Sequence, residues 1–201
     1  IEELMEGKRA LALGPGISTH PETIAVVHHF IRSSSIPLII DADGINAVAK
    51  NPAILKEKKA PLLLTPHPGE MARLIQTTAK EVQEDRIGVA RRFAQENGVF
   101  LVLKGARTVI AEPDGDIYIN PTGNPNLASG GTGDVLTGMI AGLVSQGYSL
   151  SEASRLGVFF HGYMADEIKE ELGGIGMTAT DIIRRIPLTL NKLLSEYGGF
   201  S

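Results

Sequence analysis

Residues 123–138 read GNPNLASGGTGDVLTG, a stretch that combines five glycines with one acid, Asp134, and runs directly into an apolar, helix-like segment. The start of a helix carries unsatisfied backbone N–H groups and the positive end of the helix dipole, so it attracts anions. Glycines let the backbone approach a phosphate closely. An acid set against such an anion site is electrostatically awkward unless it has work to do, such as taking a proton from an attacking hydroxyl. The plainer alternative is a first-turn acid on a capped helix. No Lys-Ser/Thr pair follows the glycines, so this is not a Walker loop.

Four other stretches carry usable chemistry. VLKGART, residues 102–108, places Lys104 and Arg107 around Gly105 and Ala106 and ends on Thr108. Two cations and a hydroxyl can hold nucleotide phosphates or a ribose, or can form an ordinary solvated strand end. TPHPGE, residues 65–70, fixes a tight turn with two prolines and presents His67 and Glu70 at a helix start. Glu70 suits the helix dipole there, whereas an exposed histidine between prolines points to binding rather than packing. In DADGIN, residues 41–46, Asp41 ends an apolar run and is a candidate for contact with substrate or metal-bound water. Asp43 either joins it or caps the following helix. GPGIS, residues 14–18, is a turn suited to close approach of a ligand, or only a tight turn. His28, His29 and His161 fall within helical patterns and read as surface or packing histidines.

The elements that position these turns alternate along the chain. RALALG is a short strand, after which Ser18 or Thr19 is expected to cap a helix with Pro21 in its first turn. IPLIIDA and APLLLTP are continuous apolar runs of the kind buried on both faces of a parallel sheet. Residues 79–97 show helical spacing, with Gly98 as the stop. VFLVLKG is a strand, and Asp114-Gly115 between two β-rich runs predicts a hairpin near residues 107–119. Three helices follow, near 133–146, 151–171 and 178–197, the last kinked or split by Pro187. This order predicts a three-layer α/β domain with a mostly parallel sheet. Ligands in such sheets sit beyond the carboxyl ends of the strands, and every turn singled out above follows a strand. They should converge on one rim.

The totals agree with a single soluble domain over residues 1–201. The net charge of −4 argues against a non-specific nucleic-acid binder, and the absence of cysteine excludes disulfides and thiol catalysis. No apolar run approaches the roughly 20 residues of a membrane span, so a cytoplasmic protein is expected. The chain begins at Ile1, and IEELMEGKRA looks like an amphipathic helix entered midway, without the pattern of a signal peptide. A natural N-terminal segment is therefore expected to precede it.

Taken in order, GPGIS, DADGIN, TPHPGE, VLKGART and the glycine loop closely resemble the ADP/ATP-dependent NAD(P)H-hydrate dehydratases, the carboxy-terminal YjeF-type domains of the ribokinase-like superfamily. The resemblance runs from about Arg9 to about Ile183. It implies a ribokinase-like fold and an enzyme that returns hydrated NADH and NADPH (NADHX and NADPHX) to the cofactor while cleaving ADP or ATP. It implies hydrate-binding positions at Gly16, His67 and Asp134, with Asp43 and Asn46 beside them. The adenine nucleotide would lie against Lys104, Gly105, Ala106, Arg107 and Thr108, with Asn124, Gly131, Thr132 and Gly133. Asp134 would be the base. Glu70, placed where related kinases carry an Asn-x-x-Glu motif, would join a Mg2+–water network. The resemblance also implies a homo-oligomer, of up to four copies, with no nucleic-acid or membrane partner. One departure is Asn126, where the family commonly has glycine, and a left-handed backbone is expected there. The competing reading is a ribokinase-like kinase for a vitamin-precursor alcohol, and a nucleotide-sensing domain without catalysis is a third.

Overall fold

The computed structural model describes residues 5–196. Its centre is a six-stranded sheet in the order β1-β2-β3-β4-β5-β6. The strands are β1 (Leu11–Leu13), β2 (Leu38–Ile40), β3 (Leu62–Leu64), β4 (Phe100–Leu103), β5 (Val109–Ala111) and β6 (Ile117–Ile119). β1 to β4 pair in parallel, and β5 and β6 add the expected hairpin in antiparallel fashion. Two reversals return β6 to the direction of β1–β4, so the glycine loop leaves the sheet on the same rim as the other four turns.

Why three layers form is visible in single strands. Leu38 and Ile40 of β2 face one core, and Ile39 between them faces the other. Leu62, Leu63 and Leu64 repeat the split, as do Leu101, Val102 and Leu103. A strand apolar on both sides requires cover on both sides. The helices α1 (Pro21–Ser33), α2 (Ala42–Lys50), α3 (Pro68–Leu74), α4 (Ala79–Glu84) and α5 (Arg86–Asn97) cover the first face. The second is covered by α6 (Thr132–Ser145) and α7 (Leu150–Leu172), with α8 (Ala179–Glu196) packed outside them.

Several local expectations need correction. α1 is capped by His20, whose Nδ1 accepts from the Glu22 N–H, and not by Ser18 or Thr19. The helix expected over 79–97 is two helices, because the Asp85 carboxylate accepts from Gly88 N–H and starts a new one. Pro187 lies inside a continuous α8 and does not split it. Asn126 is not left-handed, since it sits in the short 3-10 turn Pro125–Ala128 with its N–H on Asn124 Oδ1. Gly98 does end α5, in the left-handed conformation. Of IEELMEGKRA, the first four residues lie outside the described ones, and residues 6–10 form turn and irregular backbone. Among the described residues no helix is long and apolar enough to cross a membrane.

At Gly14 the chain of β1 passes so close to β2 that a Cβ would lie 1.8 Å from the Asp41 carbonyl oxygen, and φ is +135°. Gly14→Ala is therefore expected to cost at least about 3 kcal/mol, since both backbone strain and a steric clash must be relieved. Thermal unfolding should register a fall in Tm of roughly 6–12 °C. A fall of a degree or less would show that the turn is free to move.

Candidate active site

The ladders continue past the strands and fasten the turns to one another. Asp41 N–H donates to Leu13 O at 3.1 Å, Thr65 N–H to Ile40 O at 3.1 Å, and Lys104 N–H to Pro66 O at 2.8 Å. Three of the chemistry-bearing stretches thus stand side by side by backbone geometry alone. Their side chains meet at Lys104. Its Nζ lies 2.8 Å from Asp41 Oδ1 and 3.9 Å from Glu70 Oε2. Asp41 is 1% exposed and its other oxygen accepts from Thr137 Oγ1 on α6 at 2.8 Å. A carboxylate this deep is tolerable only with such partners.

Glu70 is held from the other side. Its Oε2 accepts from His67 N–H at 2.8 Å, and His67 Nδ1 accepts from the Gly69 and Glu70 N–H groups, which closes a capping box at the start of α3. Nδ1 in an acceptor role leaves the ring proton on Nε2, which faces Glu70 Oε1 at 3.5 Å. Burial holds His67 below its usual titration range, against the opposing pull of Glu70.

The first turn of α6 closes over this cluster. A Cβ on Gly133 would lie 3.4 Å from Lys104 Nζ and 3.8 Å from Asp41 Oδ2. The glycine therefore brings a helix start, with its free N–H groups, onto a lysine that is only partly screened from solvent. Gly131, the N-cap, has φ +83°, which an L side chain rarely adopts. Asp134 follows, exposed, with no side-chain hydrogen bond or ion pair among the described residues. Among the described residues it is the one acid of this rim left unengaged by its neighbours' side chains.

The other expected residues form two flanking groups. On the β1–β2 side, Asp43 accepts from Ser18 N–H at 2.9 Å and from Asn46 Nδ2 at 3.3 Å, while Arg73 Nε donates to Asn46 Oδ1 at 2.9 Å. Asp43 is thus no helix cap: it ties the GPGIS turn to α2, and Gly16 beside it faces open space. On the β4–β5 side, Thr108 Oγ1 donates to Gly105 O, and Arg107, at φ +56°, donates to Pro121 O. Arg86, which sequence reasoning passed over, braces this loop through Leu103 O at 2.9 Å and Ala106 O at 2.5 Å. Burial lowers the Arg86 pKa. Nothing in its helical spacing signalled that role.

α7 lies where the spacing placed a helix, but its hold on the glycine loop was missed in the same way. Its Asp166 accepts from Gly123 N–H at 2.8 Å and from Asn124 Nδ2 at 2.9 Å, and Thr122 Oγ1 donates to Phe159 O at 2.9 Å. A Cβ on Gly162 would lie 2.3 Å from Thr122 Oγ1. Helix α7 thus grips the entrance of the glycine loop, and Asn124 is engaged in that grip. At the loop's exit, Thr132 Oγ1 donates to Leu127 O and Ser129 O.

His161, also on α7, is 6% exposed, and its Nε2 is buried without a partner among the described residues. Burial lowers its pKa to about 4, against a hydrogen bond to the Thr132 backbone and with help from Lys104. The folded state therefore resists a proton that the unfolded chain accepts near 6.5. Stability is expected to hold above about pH 6.5 and to fall as pH drops from there toward about 4, because the unfolded state then binds more protons. Urea unfolding at pH 7 and pH 4.5 checks this: His161→Phe should flatten the difference, and an unchanged difference would place the acid sensitivity elsewhere.

A mixed six-stranded sheet with helices on both faces, carrying a glycine loop and an acid at its carboxyl rim, is the ribokinase-like architecture. The family profile described as NAD(P)H-hydrate dehydratase matches residues 2–188, and the chain belongs to that family. Among its relatives, the bifunctional NAD(P)H-hydrate repair enzyme Nnr of Moorella thermoacetica is 48% identical over 186 residues, covering 92% of this chain and 35% of the relative. The ADP-dependent (S)-NAD(P)H-hydrate dehydratase of Bacillus subtilis is 38% identical over 187 residues, covering 92% of this chain and 66% of the relative. Among solved structures, the ADP/ATP-dependent NAD(P)H-hydrate dehydratase of Bacillus subtilis, co-crystallized with ATP/Mg2+ and soaked with CoA, superimposes with a TM-score of 0.82 at 34% identity. That match covers 92% of this chain and 66% of the solved chain. The chain thus spans about a third of one curated relative and about two thirds of the other.

Proposed function

We propose that this chain carries out nucleotide-dependent dehydration of NADHX and NADPHX, as a cytoplasmic lyase of metabolite repair. The observation that carries the reading is the placement of Gly133 against Lys104 while Asp134 stays unengaged. The helix start and the ammonium together favour a phosphoryl group, and the free carboxylate beside it can accept a proton.

Asp134 takes the proton of the ring hydroxyl, and the hydroxyl oxygen attacks the terminal phosphorus of ADP or ATP. The bond to the nucleotide's bridging oxygen breaks, and AMP or ADP leaves. The N–H groups of Gly131 and Gly133 and Lys104 meet the charge on the transferred group. The new phosphate ester is a far better leaving group than hydroxide. Phosphate then departs with the former hydroxyl oxygen, and loss of a ring proton restores the reduced nicotinamide.

The nucleotide lies against residues 104–108, and the hydrate against Gly16, Asp43, Asn46 and His67. No group of three metal-ligating side chains occurs among the described residues, and Glu70 is already bonded on both sides. A cation caged by protein does not fit this donor set. Mg2+ carried on the nucleotide phosphates, with water between it and Glu70, does fit, since this ion usually retains several waters. It would supply charge neutralisation at the phosphates. Exposed Ile183 and Leu188 on α8 support assembly of several copies, a tetramer in this reading.

The test is incubation of the intact protein with NADHX and ADP or ATP, following the return of NADH absorbance. Recovery is the expected result. Absence of recovery, together with phosphorylation of a pyrimidine or thiazole alcohol, would replace the dehydratase with a kinase.

A further inference from the structure

Beside the Asp43–Asn46–Arg73 network lies a cleft of about 340 Å³, lined by Thr19, Asn46, Ala49, Lys50 and Arg73. No residue of that lining is an acid. Among the described residues Arg73 commits only its Nε, to Asn46, and both terminal nitrogens of its guanidinium have no partner. Lys50, exposed in the last turn of α2, forms no hydrogen bond or ion pair among the described residues. Two uncommitted cations across one concavity, with an amide and a hydroxyl between them, form a receptor for a multiply charged oxyanion. The planar fork of an arginine matches phosphate oxygens two at a time.

Position and size narrow the ligand. The positive charge of Arg73 reaches His67, where it is one of the lesser influences lowering that histidine's pKa after burial. The cleft therefore adjoins the turn assigned to the hydrate. It lies on the α2–α3 side, whereas the loop assigned to the nucleotide, residues 104–108, lies between β4 and β5. Its volume is at the lower end of the roughly 300–1,000 Å³ of small-molecule pockets, room for part of a dinucleotide and not the whole.

We propose that Lys50 and Arg73 bind a phosphate of the hydrated dinucleotide, gripping the substrate away from its nicotinamide ring. This rests on the dehydratase reading. The two residues set substrate affinity and take no part in proton or phosphoryl transfer, and the phosphate is either the bridging pyrophosphate or the 2′-phosphate peculiar to NADPHX.

The experiment is Lys50→Gln in the intact protein. A lost charge-assisted contact should raise KM about tenfold while kcat stays unchanged. Lys50→Arg should restore it. A rise for NADHX and NADPHX alike assigns the pyrophosphate, and a rise confined to NADPHX assigns the 2′-phosphate. Calorimetric titration with NADH and NADPH supplies a readout independent of turnover, and the same weakening is expected there. If KM and both titrations are unchanged in Lys50→Gln while the wild type turns over, the phosphate site falls and the dehydratase reading stands. If the wild type binds the cofactors with the expected Lys50 dependence but turns over neither hydrate, the dehydratase reading falls and the phosphate site stands. A wild type that neither turns over a hydrate nor binds either cofactor overturns both.

Discussion

Asp134→Asn is expected to reduce hydrate turnover by about 10²–10⁴-fold, the usual contribution of a positioned general base. Asparagine keeps the shape and the helical position but cannot accept a proton. Nucleotide affinity should be retained or slightly improved, because the substitution removes a negative charge from the mouth of an anion site. A structural role for Asp134 predicts the opposite pattern. An exposed first-turn acid without a side-chain partner contributes a few tenths of a kcal/mol through the helix dipole, so its loss would leave kcat intact and shift Tm slightly. Single-turnover rates with calorimetry of ADP therefore separate the two. Full activity in Asp134→Asn would remove the base assignment and leave the glycine loop as a binding device only.

The sheet was legible because its information is local. LII and LLL are apolar at every position, as a strand covered on both faces requires, and Asp114-Gly115 is a turn signal confined to two residues. The convergence of the five turns followed from chain order alone. What stayed hidden lies between residues far apart in sequence. For Asp43 a helix cap stayed open beside a ligand contact because its partner, Ser18 N–H, is 25 residues away. Asp41 looked like a ligand contact, yet it is buried under Thr137, 96 residues on. The break at Asp85 escaped because a cap competes with the helix through one side-chain hydrogen bond that leaves the apolar spacing undisturbed. Arg86, His161 and Asp166 sit at positions of ordinary amphipathic helices, where composition gives no reason to separate them from solvated or packing neighbours. They became visible only as partners of backbone groups in the two loops.

Asp166→Asn tests whether that partnership matters for rate. The carboxylate receives two donors, Gly123 N–H and Asn124 Nδ2, at the entrance of the loop that ends in Gly133 and Asp134. An amide in its place can accept only one of them and turns its own NH2 toward the other. The entrance is then free to shift, and with it the N–H groups that must meet the transferred phosphoryl. Displacement of a reacting group by about 1 Å can cost on the order of 10²-fold, so kcat is expected to fall by one to two orders of magnitude. KM for ADP should move little, since residues 104–108 are braced separately by Arg86. Asp166 is thereby a positioning residue, and its coupling to Asn124 is measurable. If both act through the same loop entrance, Asp166→Asn combined with Asn124→Ala should cost little more than the larger single change. Additive losses would mean that the two residues support different structures. A fall in Tm with kcat intact would mean that α7 stabilises the loop without setting the geometry of transfer.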